Sequence, residues 1–215
     1  MNLWLKKAWK ENKSLFIFIS LMLVFRSAVA DWNDVPTGSM KPTIVEGDRI
    51  FINKMAYDIR VPFTHISLVK MADPQRNEII IFDSIASDKR LVKRVIGVPG
   101  DVVSMKNNKV TVNGLQLVYQ NKKTSTALSD SIIDIVEKID DKTHTIRTSS
   151  INTSFANFPE VTVPQGHYLV LGDNRDRSAD SRVIGFVPRN EIVGRSKKVV
   201  MSLDYEDYFL PRAER

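Results

Sequence analysis

Residues 15–25 read LFIFISLMLVF, eleven positions with Ser20 as the one polar side chain. Such a run has to be removed from water, into protein or into lipid. As a helix it is only ~16 Å long at 1.5 Å per residue, whereas a bilayer core of ~30 Å takes roughly 20 residues. Extending the helix over 14–32 supplies that length, with Arg26 snorkelling to the interface and Trp32 in the interfacial belt. Lys6, Lys7, Lys10 and Lys13 precede the run against Glu11, and Asp31 and Asp34 follow it. By the positive-inside rule the N-terminus is then cytoplasmic. Ala28-Val29-Ala30 opens a second reading, a cleavable signal peptide with an A-x-A cut site. The run alone supports both.

Beyond Pro36 the pattern changes to β. DRIFINK (48–54), NEIIIF (77–82), RLVKRVIGV (90–98), HYLVLGD (167–173) and SKKVVMSL (196–203) are short and rich in branched side chains. Turn signals such as Pro99-Gly100-Asp101 and Pro164-Gln165-Gly166 separate them. KVTVNGLQLV (109–118) predicts a hairpin turning at Asn113-Gly114. Many short strands predict a mainly β fold, barrel-like or sandwich-like. Residues 120–160 are polar and weakly patterned, so an excursion from the core is expected there, a small inserted β cap. The expected plan is a basic N-terminus over 1–13, a transmembrane anchor over 14–32, an extracytoplasmic β domain over 33–203 and a polar tail over 204–215.

The chain has no cysteine, which removes thiol nucleophiles, cysteine metal sites and disulfides. His65, His144 and His167 form no HExxH pair, and no metal or other cofactor is expected. The net charge of +6 is spread without long basic runs or interleaved aromatics, so no nucleic acid is expected, only a weak preference for anionic membrane surfaces.

One polar stretch stands out, VPTGSMKPT (35–43), just after the apolar run. A serine such as Ser39 is a weak nucleophile without a base. Lys41 is the base nearest in sequence, but its turn-like surroundings expose it and leave it charged. A lysine works as a base when burial lowers its pKa from ~10.4 toward 7–8. Lys93 sits in RLVKRVIGV and shares a strand face with Leu91 and Val95. A strand-edge position with its head in water is the commoner fate of such a lysine. A second polar cluster, LGDNRDRSADSRVIGFVP (171–188), is too dense in Asp and Arg for a plain surface loop and reads as scaffolding for a site. A Ser–His–Asp triad through His167 and Asp173 is the rival; no motif places His167 near Ser39.

PTGSMKPT, VKRVIGVPGD and GDNRDRSADSRVIGFVP, in that order after an apolar segment ending in FRS, together resemble the type I signal peptidases, membrane-bound serine–lysine peptidases. The resemblance covers roughly 14–118 and 160–203. It implies that Ser39 is the nucleophile and Lys93 the general base. It implies that Thr37, serine in many members, helps the Ser39 N–H form the oxyanion hole, and that Ser178 orients the lysine amine. Arg94, Asp173, Asp180 and Arg182 match supporting polar positions. It also implies cleavage of signal peptides from exported preproteins after small residues, alanine favoured at the first and third positions before the cut, by a monomer in the cytoplasmic membrane. On that basis the apolar segment is expected to be retained, the helix running on through Ala28-Val29-Ala30. The alternatives are a relative specialised for a conjugation pilin and a non-catalytic β binding module.

Overall fold

A computed structural model describes residues 3–64, 66–121, 132–149, 153–197, 199–204 and 210–211. A helix, Leu3–Ala28, leads into a β domain whose largest sheet has nine strands. Its order is Val187–Pro188, His167–Leu171, Lys89–Gly97, Ile79–Ser84, Ile192–Ser196, Asp48–Asn53, Val199–Asp204 and Leu210–Pro211, with Ala30–Asp34 also pairing onto Asp48–Asn53. No barrel is closed among the described residues: the sheet runs out at both ends in two-residue strands. The mainly β expectation holds; the barrel-like one does not.

The helix stops earlier than expected. Val29 N–H donates to Phe25 O at 2.9 Å, and the next residues enter the sheet, Ala30 facing Asn53. Lys54 terminates the helix, its Nζ donating to Arg26 O at 2.8 Å and its backbone N–H to Val29 O at 3.0 Å. Arg26, in the last turn of the helix, pairs with Asp31 of the following strand at 2.8 Å. Helix over 29–32 would forfeit these strand bonds, and Trp32 sits in a strand, opposite Phe51. No helix among the described residues is long and apolar enough to cross a membrane. The apolar part, between Lys13 and Arg26, is nevertheless largely exposed, with Phe18 at 60% and Leu21 at 64%.

The predicted hairpin forms, Lys109–Val112 pairing with Leu115–Gln116 around Asn113 and Gly114, both at positive φ (51° and 78°). Two positive φ values match the right-handed twist of the flanking strands. The inserted region is a three-stranded sheet, Val118–Asn121, Ile132–Ile139 and Lys142–Ser149. Residues 122–131 and 150–152 lie outside the described residues, as do most of 204–215.

This insertion is not an excursion. Ile139 belongs to the same buried cluster as Ile96, Val103, Leu169 and Leu171. Glu137, wholly buried, receives Nη2 of Arg175 at 2.5 Å and Nη1 at 3.0 Å, and Tyr119 Oη at 2.6 Å. One polar residue of this hairpin, Glu137, thus meets a charged group of another segment. Two further apolar clusters, around Phe82, Val95 and Val170 and around Met40, Ile50 and Ile81, pack both faces of the large sheet.

Candidate active site

Ser39 lies in a short 3-10 turn, Gly38–Met40, and Met40 anchors that turn in the core at 1% exposure. The turn is clamped from the 171–188 loop. Asn174 N–H donates to Ser39 O at 3.0 Å, and Asn174 Nδ2 donates to Gly38 O at 3.0 Å. Gly172 makes the approach possible: a Cβ there would stand 2.5 Å from Ser39 O and 2.2 Å from Ser178 Oγ. No side chain fits in that space, so the loop can meet the turn only through glycine.

Lys93 arrives on the strand Lys89–Gly97 and is 2% exposed. Its Nζ lies within hydrogen-bond reach of Ser39 Oγ at 2.8 Å and donates to Val92 O at 3.1 Å. Burial lowers its pKa to about 8, against the opposing pull of the Asp180 and Asp173 carboxylates. The water-exposed edge position is thereby excluded. Lys41, nearest in sequence, is paired with Glu46 at 2.6 Å.

The supporting charges form two bidentate pairs. Arg94 donates to Asp173 through Nε at 2.8 Å and Nη2 at 2.6 Å, and its Nη1 reaches Asn77 O at 3.0 Å. Asp173 also accepts Thr43 Oγ1 at 2.5 Å, and despite full burial its pKa is lowered by Arg94. Arg182 donates to Asp180 through Nε at 2.7 Å and Nη2 at 2.6 Å, while Asp180 accepts Gly172 N–H at 2.9 Å. Arg175 balances no aspartate of its own loop; it reaches the buried Glu137 of the insertion. That pair holds the Glu137 carboxyl far below the usual carboxylate range even though burial opposes it.

One expected contact differs. Ser178 is 6% exposed beside the Ser39 turn, but its Oγ makes no hydrogen bond, to Lys93 or to any described group. The Lys93 amine points instead to Ser39 Oγ and Val92 O. Thr37 is exposed at the cleft, and its hydroxyl does not cap the turn. His167 bonds locally, its Nδ1 at 3.0 Å from Gln165 O, and Asp173 is occupied by Arg94 and Thr43, so no triad assembles.

Reading the sequence missed Thr43, Asn174 and Glu137. Asn174 lies inside the recognised loop and could have been weighed as a clamp. Nothing in the sequence pairs Glu137 with Arg175, 38 residues away. The cleft beside Ser39 holds about 670 Å³, walled by Thr37, Leu91 and Lys93 on one side and by Ile132, Thr148 and Ser149 of the insertion on the other.

A serine hydroxyl held against a buried amine of lowered pKa, on a β scaffold, is the arrangement of a serine hydrolase with a lysine base. Residues 8–201 match the family described as "Signal peptidase, peptidase S26". Signal peptidase I of Pseudomonas aeruginosa is 35% identical over 203 residues, covering 89% of this chain and 72% of that one. Signal peptidase I of Bacillus amyloliquefaciens is 31% identical, covering 89% of this chain and 84% of that one. A crystal structure of a signal peptidase I from Enterococcus faecalis is 31% identical, with a TM-score of 0.38, and covers 59% of this chain and 98% of that one. The chain belongs to the signal peptidase family, peptidase S26. It is a serine endopeptidase.

Proposed function

We propose that this endopeptidase, which releases exported preproteins from their signal peptides, works through Ser39 as nucleophile and Lys93 as general base. The contact between Lys93 Nζ and Ser39 Oγ at 2.8 Å, with the amine buried, carries the reading. As Ser39 Oγ attacks the scissile carbonyl carbon, the neutral Lys93 amine takes its proton. The Ser39 backbone N–H and the Thr37 hydroxyl receive the developing oxyanion; one such donor contributes roughly 3–4 kcal/mol to lowering a barrier. The Lys93 ammonium then protonates the leaving amine, and the signal peptide stays on Ser39 as an ester. Water, deprotonated by Lys93, attacks that ester, and the returning proton regenerates the Ser39 hydroxyl. Ser178 packs beside the turn and shapes the amine's site; Arg94–Asp173 and Asp180–Arg182 hold the loop that carries it.

The N-terminal helix attaches the enzyme to the membrane, N-terminus on the cytoplasmic side. Its exposed apolar stretch has no protein covering it among the described residues, and it is bounded by Lys13 and by Arg26, the latter held at the end of the helix by Asp31. The hairpin loop after Arg60 extends this apolar surface. Phe63 (69% exposed) donates its N–H to Ser27 Oγ at 2.6 Å, and Ile66 (62%) and Leu68 (64%) follow. Together they hold the cleft near the phospholipid surface, where preproteins emerge. Incubating the detergent-solubilised protein with a preprotein tests the reading: wild type should release the mature protein, whereas Ser39→Ala and Lys93→Ala should not. Cleavage by either variant would refute the dyad.

A further inference from the structure

The cleft carries charge as well as the dyad. Along the strand Lys89–Gly97, the alternating residues Lys89, Leu91 and Lys93 all line it. Four residues at ~3.3 Å each put Lys89 about 13 Å from Lys93 along the strand. Arg177 lines the same cleft, one residue before Ser178. Lys89 and Arg177 are both exposed, and neither makes an ion pair among the described residues.

The other charges on the cleft are already engaged. Lys41 and Glu46 pair with each other at 2.6 Å. Arg147 is bidentate to Asp134 at 2.8 and 3.0 Å. Asp176 accepts Ser149 N–H at 2.7 Å, Asn108 Nδ2 at 3.3 Å and Thr153 Oγ1, all neutral donors, the first of them from the insertion. Besides Lys93, the cleft cations left without an ion pair among the described residues are two long-armed ones, Lys89 and Arg177. An extended peptide advances ~3.3 Å per residue, so with its scissile bond at Ser39 it brings a residue three to five positions away alongside Lys89.

We propose that Lys89 and Arg177 select substrates, favouring an acidic side chain three to five residues from the scissile bond and disfavouring a basic one there. The assignment rests on Ser39 being the nucleophile, which fixes where the bond lies. It adds to small-residue recognition next to the cut a second, electrostatic reading of the preprotein. Exposed ion pairs of this kind are individually weak, and the two cations together change affinity by about three- to tenfold.

The test is a peptide series around one Ala-X-Ala cut site, with a single Glu, Ala or Lys scanned along both sides. Cleavage by the full-length enzyme gives kcat/KM, and binding of the same peptides to Ser39→Ala is measured by fluorescence anisotropy. At one position in the stated range Glu should exceed Ala by about three- to tenfold in both readouts, and Lys should fall below Ala. The Glu-to-Ala ratio should collapse toward one in the Lys89→Ala/Arg177→Ala double variant and in about 0.5 M salt. A flat scan, or a Glu preference that survives the double variant, overturns the proposal while leaving the dyad intact. Glu-selective binding without any cleavage by the wild type would instead sink the dyad and leave the charge selection standing.

Discussion

Lys93 Nζ lies 2.8 Å from Ser39 Oγ although 54 residues separate them in the chain. The contact depends on a strand that delivers the amine and a turn that presents the hydroxyl, and each can be perturbed separately.

Activity should depend on pH through Lys93. Burial brings its pKa to about 8, so the neutral, base-competent amine grows as pH rises through 8. A kcat/KM profile rising about tenfold per pH unit below that point and levelling above it is expected. A profile flat from pH ~6 to ~9 would count against a lysine base.

The same burial costs stability. In the unfolded chain the lysine titrates near 10.4, so below about 8 the folded protein must bury a charge that water would stabilise. The penalty is full below the folded value and disappears as pH rises toward the unfolded one. Lys93→Met should therefore stabilise the protein at pH 6, by about 3 kcal/mol at most, and by much less at pH 10. Thermal melts at the two pH values check this; equal shifts at both would contradict it.

Asn174→Ala should lower kcat about tenfold with little change in KM. It removes the 3.0 Å bond to Gly38 O but keeps the backbone bond to Ser39 O, so the turn loosens without being released. Gly172→Ala should be far worse, because its Cβ would meet Ser39 O at 2.5 Å, a backbone atom with no rotamer to retreat into. Adding Ser178→Ala should leave that variant inactive, since it clears only the Oγ clash and leaves Ser178 Cβ and Ser39 O each at 2.5 Å.

Glu137→Gln should destabilise the fold by roughly 3–5 kcal/mol, because it leaves the wholly buried Arg175 without its counter-charge. Acid should act through the same group. Its folded pKa is depressed, so its contribution is present above pH ~4.5 and is lost as pH falls toward the folded value. In the wild type, denaturant midpoints should drop between pH 5 and 3, and this drop should shrink in Glu137→Gln.

Membrane-isolated protein should begin upstream of Asp31 on N-terminal sequencing. Ala30 is 7% exposed and paired with Asn53 in the sheet, so its carbonyl cannot enter a cleft. Continuation of the helix was expected to protect this bond; the sheet does so instead. A mature N-terminus at Asp31 would refute it.

How much of this was legible follows the range of the interactions. Period-two patterning marked the strands because each buries branched side chains, and Asn113-Gly114 marked its hairpin through local backbone chemistry. Lys93 was legible because a charged residue amid Leu91, Val92, Val95 and Ile96 conflicts with its surroundings. The helix end was not, because Lys54, which terminates it, comes 26 residues later. Nor was the role of the insertion: Glu137 looks like any acid in a polar segment until Arg175 is brought against it. Ser178 could be placed beside the turn by resemblance, but hydrogen-bond direction depends on packing that no motif encodes.

The Asn174 clamp on Gly38 and Ser39 spans 136 residues of chain. A ribosome releases the Ser39 turn well before the residue that fixes it. Until the 171–188 loop is made, the Ser39 turn lacks the bonds from Asn174 that hold it. A chain made only as far as residue 173 therefore lacks the clamp, and the Ser39 turn acquires its fixed geometry only once Asn174 has been added.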